Sequence, residues 1–313
     1  MNATDSIRKE IVQAIGEHPA EAECALVALT KCVATMGVYR KGFSIEYEFR
    51  DQSLALAVGG WLKDAYGASV EFEFSAQTPR TYLVRVASDC ANATLERMGL
   101  THYDRDGNLI LTRGLPALET VRNRETARAY VAGFFLGCGS CYAPDDVETR
   151  GGYHLEFTVA EEILARQLAG VLERLAIPLH VTPRGDNWAV YSKSGEQIAD
   201  LLALLQAMNS VMELNDLMIR RQINNDINRR SNVYIANLDK ISLANTRYIT
   251  AAQTVLDAHA TQDEKLLSVA TERVRDREES MSALAARLQM SKSSLSRALN
   301  KLVKLAGIEE QGE

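Results

Sequence analysis

Glycine and proline punctuate the first two-thirds of this chain and then stop. After Pro183 there is no proline, and between Gly195 and Gly307 there is no glycine. Proline removes a helical hydrogen bond and clashes with the preceding turn, and an interior glycine costs about 1 kcal/mol relative to alanine. A stretch of roughly a hundred residues free of both predicts helix almost throughout. Upstream, turn residues recur and apolar residues alternate in places, which predicts strands among helices. The fold class expected is therefore α+β, a mixed α/β part followed by an all-α part.

The mixed part reads as one unit written twice. Residues 7–38 carry Ile11, Val12 and Ile15, then Leu26, Leu29 and Val33, at helical spacing up to Gly37. Phe43, Ile45, Tyr47 and Phe49 alternate as one face of a strand. Asp51 is placed to cap a helix that closes at Gly67, and strands follow at 70–74 and 82–86 around a turn at Thr78-Pro79. A short helix is expected at 90–98. Residues 101–121, with Gly107, Gly114 and Pro116, read as a link. The order then repeats. Ala127 opens a helix of small and aromatic residues ending at Gly139, with Gly133 and Gly137 on one face where another backbone could approach. A strand at 153–159, an amphipathic helix at 160–176, a hairpin at 179–191 and a helix at 195–208 complete the second copy. Ile45-Glu46-Tyr47 matches Leu155-Glu156-Phe157, and Gly37 matches Gly139 as the stop of the first helix. Such a duplication predicts two first helices side by side on a pseudo-twofold axis.

Residues 280–302 fit a helix-turn-helix. Ser282 is read as the cap of a first helix packed by Leu284, Ala285 and Leu288; Gln289 and Met290 make the turn. Ser291 caps a second helix packed by Leu295, Leu299 and Leu302. This leaves Lys292, Ser293, Ser294, Ser296, Arg297 and Asn300 facing outward. Arginine can bind guanine and asparagine adenine through paired hydrogen bonds, while Lys301 and Lys304 would neutralise phosphates. The net charge of −6 argues against a polyanion partner only on average, because Ser291 to Lys304 contains no acid. A second polar, basic surface, for DNA or for an interdomain contact, is read at Arg220, Arg221, Asn225, Asn228, Arg229 and Arg230.

Other chemistry is poorly supported. Cys138 and Cys141 form a Cys-x-x-Cys without the second ligand pair of a structural zinc site, and they follow a helix C-terminus where a redox pair prefers an N-terminus. The five histidines are dispersed, and Asp145-Asp146 reads as a turn. No cofactor is expected. No apolar run approaches a membrane span, and the opening residues lack a signal-peptide pattern, so a cytoplasmic, nucleoid-associated protein is expected.

The chain as a whole resembles the WhiA family. The resemblance rests on Arg128-Ala-Tyr-Val-Ala-Gly-Phe-Phe-Leu-Gly-Cys-Gly-Ser140, on Asn225-Asp-Ile-Asn-Arg-Arg-Ser-Asn232 with Ala236-Asn237-Leu238, and on Ser291-Lys-Ser293 with Asn300-Lys-Leu302. It implies a degenerate LAGLIDADG homing-endonuclease-like domain joined to a helix-turn-helix. It further implies a double-stranded-DNA-binding regulator of sporulation septation or of cell division and chromosome segregation, in some relatives with a WhiB-like iron–sulfur partner. LAGLIDADG nucleases carry a metal-binding acid just before the final glycine of each motif helix. The matching positions here are Met36, before Gly37, and Cys138, before Gly139, neither of which can hold Mg²⁺. The family's recognition helix commonly carries arginine where Ala298 and Asn300 stand, so the base preference is expected to differ.

The expected division is residues 1–113 and 114–211 for the two LAGLIDADG-like halves, 212–274 for a helical linker region and 275–313 for the helix-turn-helix domain. Two other classes compete with a regulator. A metal-dependent homing endonuclease would need acids such as Asp145 to substitute for the missing pair. A partner-binding scaffold would have no DNA affinity to lose.

Overall fold

The computed structural model describes residues 3–39, 42–75, 80–115 and 123–308. The turn expected at Thr78-Pro79 and the Pro116 end of the expected link lie outside them. The chain divides into two compact units, Met1–Gln222 and Ile223–Glu313.

In the first unit, α1 (Ala3–Gly16) and α2 (Pro19–Val33) are separate helices, not the single helix the spacing suggested. Pro19 at the start of α2 has no N–H to give the preceding turn, which is why a new helix begins there. Strand β1 (Thr35–Tyr39) follows at once, so Gly37 lies within a strand and the helix stops at Val33. Next come β2 (Gly42–Phe49), α3 (Gln52–Tyr66), β3 (Val70–Phe74), β4 (Tyr82–Val86) and α4 (Ser88–Arg97). Asp51 caps α3 by accepting from the Ser53 and Leu54 amides, and Gly67 ends it in the left-handed region, as the sequence indicated. Residues 101–111, expected as a link, form a hairpin of β5 (Thr101–Tyr103) and β6 (Leu109–Leu111) closed by Asp104, whose carboxylate accepts from the Asp106 and Asn108 amides.

The second half repeats the plan with α5 (Arg124–Cys138), β7 (Gly139–Tyr142), β8 (His154–Val159), α6 (Glu162–Arg174), β9 (His180–Arg184), β10 (Asn187–Ser192) and α7 (Gly195–Leu204). The sheet orders are β1-β2-β4-β3 and β7-β8-β10-β9, which is the same antiparallel topology twice. Phe43, Ile45, Tyr47 and Phe49 of the first sheet and Leu155, Phe157 and Val159 of the second are all buried in one shared core. The two first helices pack together as expected. At Gly133 of α5 a Cβ would fall 2.0 Å from the Ala25 carbonyl oxygen of α2, so only glycine allows this approach. Arg128 and Glu21 form a largely buried ion pair across the same seam.

Registration of the sheets identifies which residues are equivalent. Thr35 pairs with Glu46 and Ser140 with Glu156, while Glu46 and Glu156 are the matched residues of the repeat. Counting back, the counterpart of Cys138 is Val33 and not Met36. Gly37 misled because its resemblance to Gly139 was of residue type, whereas the true helix stop opposite Gly139 is Ala34.

Helix α8 (Met208–Asp257) is continuous over 50 residues. In the second unit its end packs with α9 (Glu264–Arg275), α10 (Met281–Arg287) and α11 (Lys292–Leu305). Ala251, Ala252 and Val255 share one core with Leu266, Val269 and Ala270 of α9 and with Leu284, Leu295, Leu299 and Leu302. The stretch 212–274, expected as a linker, thus contributes part of the core that supports α10 and α11.

Candidate nucleic-acid interface

Helices α10 and α11 are set by two serine caps. Ser280, two residues before the expected Ser282, accepts from the Ala283 amide at 3.2 Å and starts α10. Ser291 accepts from the Ser294 amide at 3.2 Å and starts α11. Between them Gln289 adopts φ 52°, the left-handed residue that turns the chain, and the Met290 amide donates back to the Ala285 carbonyl. Leu284 and Ala285 of α10 and Leu295, Ala298, Leu299, Leu302 and Val303 of α11 are buried. Ala298, which stands where the resembled family commonly carries arginine, is therefore a core residue here.

The opposite side of α11 is free. Ser293, Arg297, Asn300 and Lys304 are exposed and spaced by four, three and four residues, so they form one stripe along the helix. Arg297 Nε donates to the Ser293 carbonyl at 3.3 Å, which ties the guanidinium back along the stripe. Tyr248, at the end of α8, donates to Asn300 Oδ1 at 3.1 Å and leaves the asparagine's amide N–H groups available. Lys292 is exposed at the first turn. Ser294 and Ser296 are half-buried, and the Ser291, Ser293 and Ser294 hydroxyls bond one another at 3.0 Å, so only part of the expected serine surface faces solvent. Lys301 lies 3.5 Å from Asp263, the cap of α9, and stands to the side of the stripe. No acid occurs on α11.

Two supporting residues escaped the sequence reading. Neither Tyr248 nor Arg273 belongs to a motif that the sequence singles out. Arg273 is in fact 1% exposed and donates to the Glu279 and Arg277 carbonyls, at 2.7 and 3.3 Å, just ahead of the Ser280 cap. Its position on α9, four residues after the buried Val269 and on the face that also carries Leu266, was the available signal.

The second expected surface separates. Arg221 donates to the Gly151 carbonyl at 2.8 Å and to that of Thr149, and its guanidinium lies over the Tyr153 ring, so it is a structural residue of the first unit. Arg220, Asn225, Asn228, Arg229 and Arg230 are exposed.

The two sheets of the first unit differ in charge on their outer faces. Glu46, Glu71, Glu73 and Arg85 lie on one face of the first sheet, with Arg85 bound to Glu46 at 2.9 Å and Glu73 at 3.1 Å. The corresponding face of the second sheet carries His154, His180, Arg184 and Tyr191, with Lys193 6.0 Å from the Tyr191 ring centre. Its one acid, Glu156, is buried and accepts from His154, Thr158 and Arg184. Burial pushes the Glu156 carboxyl up, but those hydrogen bonds and the Arg184 charge outweigh it and hold the group below the usual carboxylate range.

At the C-terminal ends of α2 and α5, Val33 and Cys138 take the equivalent positions, and neither supplies a hard oxygen ligand. The Cys138 thiol points at Cys32, Sγ to Sγ 3.7 Å, and Arg8 donates to the Gly139 carbonyl at 3.1 Å. Burial raises the Cys141 thiol to about 12, which disfavours its thiolate at neutral pH. Among the described residues no group of three or more His, Cys, Asp or Glu is arranged to hold a metal ion. Asp146 closes a turn by accepting from the Val147 amide at 2.6 Å. Among the described residues no helix is long and apolar enough to cross a membrane.

Comparison with known proteins adds the following. Residues 127–224 match the family model for the WhiA LAGLIDADG-like domain, and residues 227–306 match that for the WhiA C-terminal HTH domain. A relative from Desulforudis audaxviator named "Probable cell division protein WhiA" is 33% identical over 230 residues, covering 72% of this chain and 70% of the relative. One of the same name from Clostridium acetobutylicum is 26% identical over 315 residues and 98% of both chains. The crystal structure of full-length WhiA from Thermotoga maritima superposes with a TM-score of 0.58 at 19% identity, covering 100% of this chain and 99% of that one.

Proposed function

The chain belongs to the WhiA family, and we propose that it is a sequence-specific, double-stranded-DNA-binding transcriptional regulator acting in cell division, without nuclease activity. The observation that carries the reading is the stripe of Ser293, Arg297, Asn300 and Lys304 on a capped helix without acids, backed by its own core. Such a helix fits the major groove, with Arg297 and Asn300 at base edges and Lys292 and Lys304 on phosphates. Lys301, paired with Asp263, contributes less.

The cell-division role is favoured by the names of the relatives, and a sporulation role or an iron–sulfur partner would be a refinement of it. The reading without cleavage is supported by chemistry at the helix ends, where Val33 and Cys138 offer no carboxylate to a hard divalent ion. If the duplicated domain also meets DNA, the face bearing Arg184 and Lys193 suits a polyanion, whereas that bearing Glu46, Glu71 and Glu73 repels one.

Selection of bound fragments from a genomic DNA library, followed by gel shift with and without Mg²⁺, tests the reading. Enrichment of a common site that stays intact with Mg²⁺ supports it. Mg²⁺-dependent strand breaks, or no affinity for any fragment, would overturn it.

A further inference from the structure

Within the second unit, α8 from Ile223 to about Ala244 stands clear of the core, and every residue but Asn224 is exposed up to that point. This is an unusual sequence for a solvated helix. Ile223, Ile227, Tyr234, Leu238 and Ile241 recur at spacings of four, seven, four and three and fall on one face, with Ile227 58% and Ile241 66% exposed. The stripe continues without a break in phase into Tyr248, Ala252 and Val255, which are packed in the core of the unit. The face that is buried at one end of the helix is thus bare along the rest.

Beta-branched residues lower helix propensity, and an isolated helix gains most of its stability from packing of its apolar face. The bare face therefore calls for a cover. A helix-on-helix cover must present a matching stripe of similar length, and the apolar faces of the other described helices are already turned into the two cores. A second copy of this chain brings that stripe by construction. Residues 223–241 extend about 27 Å, and pairing them would bury roughly 1,000 Å² in total, which is the lower bound for a specific, reversible interface.

We propose that the chain self-associates through α8, pairing residues 223–241 with the same segment of a second copy. Arg230 and Asn237, the exposed polar members of the same phase within this segment, would then set the register, as single polar residues do in paired helices. A dimer also supplies the two helix-turn-helix units that paired half-sites require. The inference goes beyond the regulator reading and does not rest on it, because association is measured without DNA.

Sedimentation velocity of the full chain over a concentration series tests it, using Ile227→Glu/Leu238→Glu and, as a control, Leu243→Glu. Leu243 is 72% exposed but points away from the stripe. The wild type and the control should shift from monomer to dimer mass at micromolar concentration, and the double variant should associate at least about tenfold more weakly. Helix content and thermal unfolding of the variant at low concentration report whether the fold is kept. Monomer mass for the wild type throughout, or equal association of the double variant, would overturn the proposal. So would a monomeric wild type whose DNA binding is lost in the double variant, which would assign the face to DNA.

Discussion

Gly133 of α5 rests on the backbone of Ala25 in α2: a methyl group at its Cα would lie 2.0 Å from the Ala25 carbonyl oxygen. Backbone cannot give way as a side-chain tip can. The two halves of the first unit therefore meet at a distance that only hydrogen at this position permits. Gly133→Ala should destabilise that unit by about 3 kcal/mol or leave it unfolded, since overpacking of a rigid contact costs 1–3 kcal/mol or more. Gly137→Ala meets Cys32 Cβ at 3.0 Å and the side chains of Val33 and Leu29 at 3.1 and 3.3 Å, which can shift, so its cost should be smaller. Urea midpoints of the two variants give the order, and a milder effect at Gly133 would contradict this account of the seam.

Much of this seam could be read from the sequence. Glycines four apart among small residues announced a close helix approach, and matching the two Glu-containing strands announced the repeat. What failed were boundaries. Strands β1 and β7 are short edge strands that start directly after a helix, so no alternation long enough to see separates them from it. Gly37 then passed for a helix stop, and Met36 for the counterpart of Cys138, until the Thr35–Glu46 and Ser140–Glu156 pairs fixed the register. In the second unit, capping chemistry located α11 correctly through Ser291. It misplaced the start of α10 because Ser280 and Ser282 are equally good caps in isolation. The contribution of α9 to the core was invisible, since Arg273 carries a charge that only its carbonyl partners explain.

Arg273 supplies a second prediction. Arg273→Met removes a buried cation and leaves the Arg277 and Glu279 carbonyls without their donor, a loss of about 2–3 kcal/mol. Because the two units have separate cores, thermal unfolding should lower the transition of the second unit and leave that of the first in place. A uniform loss across both transitions would count against the assignment.

Glu156 makes the second sheet sensitive to acid. Its carboxyl is held below the usual range, so it favours the folded state above the unfolded value near 4.5. That contribution is lost as pH falls through the folded value. Stability measured by denaturant from pH 7 down to pH 3 should drop at the acid end, and Glu156→Gln should flatten that drop while lowering stability at pH 7. An unchanged acid limb in the variant would place the titrating group elsewhere.

Tyr248 holds Asn300 of the exposed α11 stripe. Tyr248→Phe removes the hydroxyl that donates to Asn300 Oδ1 at 3.1 Å and frees the amide to rotate. The expected result is a relaxed preference at one base position with little change in overall affinity, because phosphate contacts are untouched. Binding to single-base variants of a selected site measures it, and a uniform loss across all sites would show that Tyr248 acts through stability instead.

The most direct measurement of the central claim is the salt dependence of DNA affinity for the full chain and for Arg297→Ala/Lys304→Ala. Both side chains are exposed on α11, so the fold is preserved, and each lost phosphate contact should lower the slope of log affinity against log salt by about one. The account predicts a steep slope for the wild type, with both the slope and the site preference reduced in the variant. Equal affinity, slope and preference in the two proteins would contradict it and move the DNA contact away from α11.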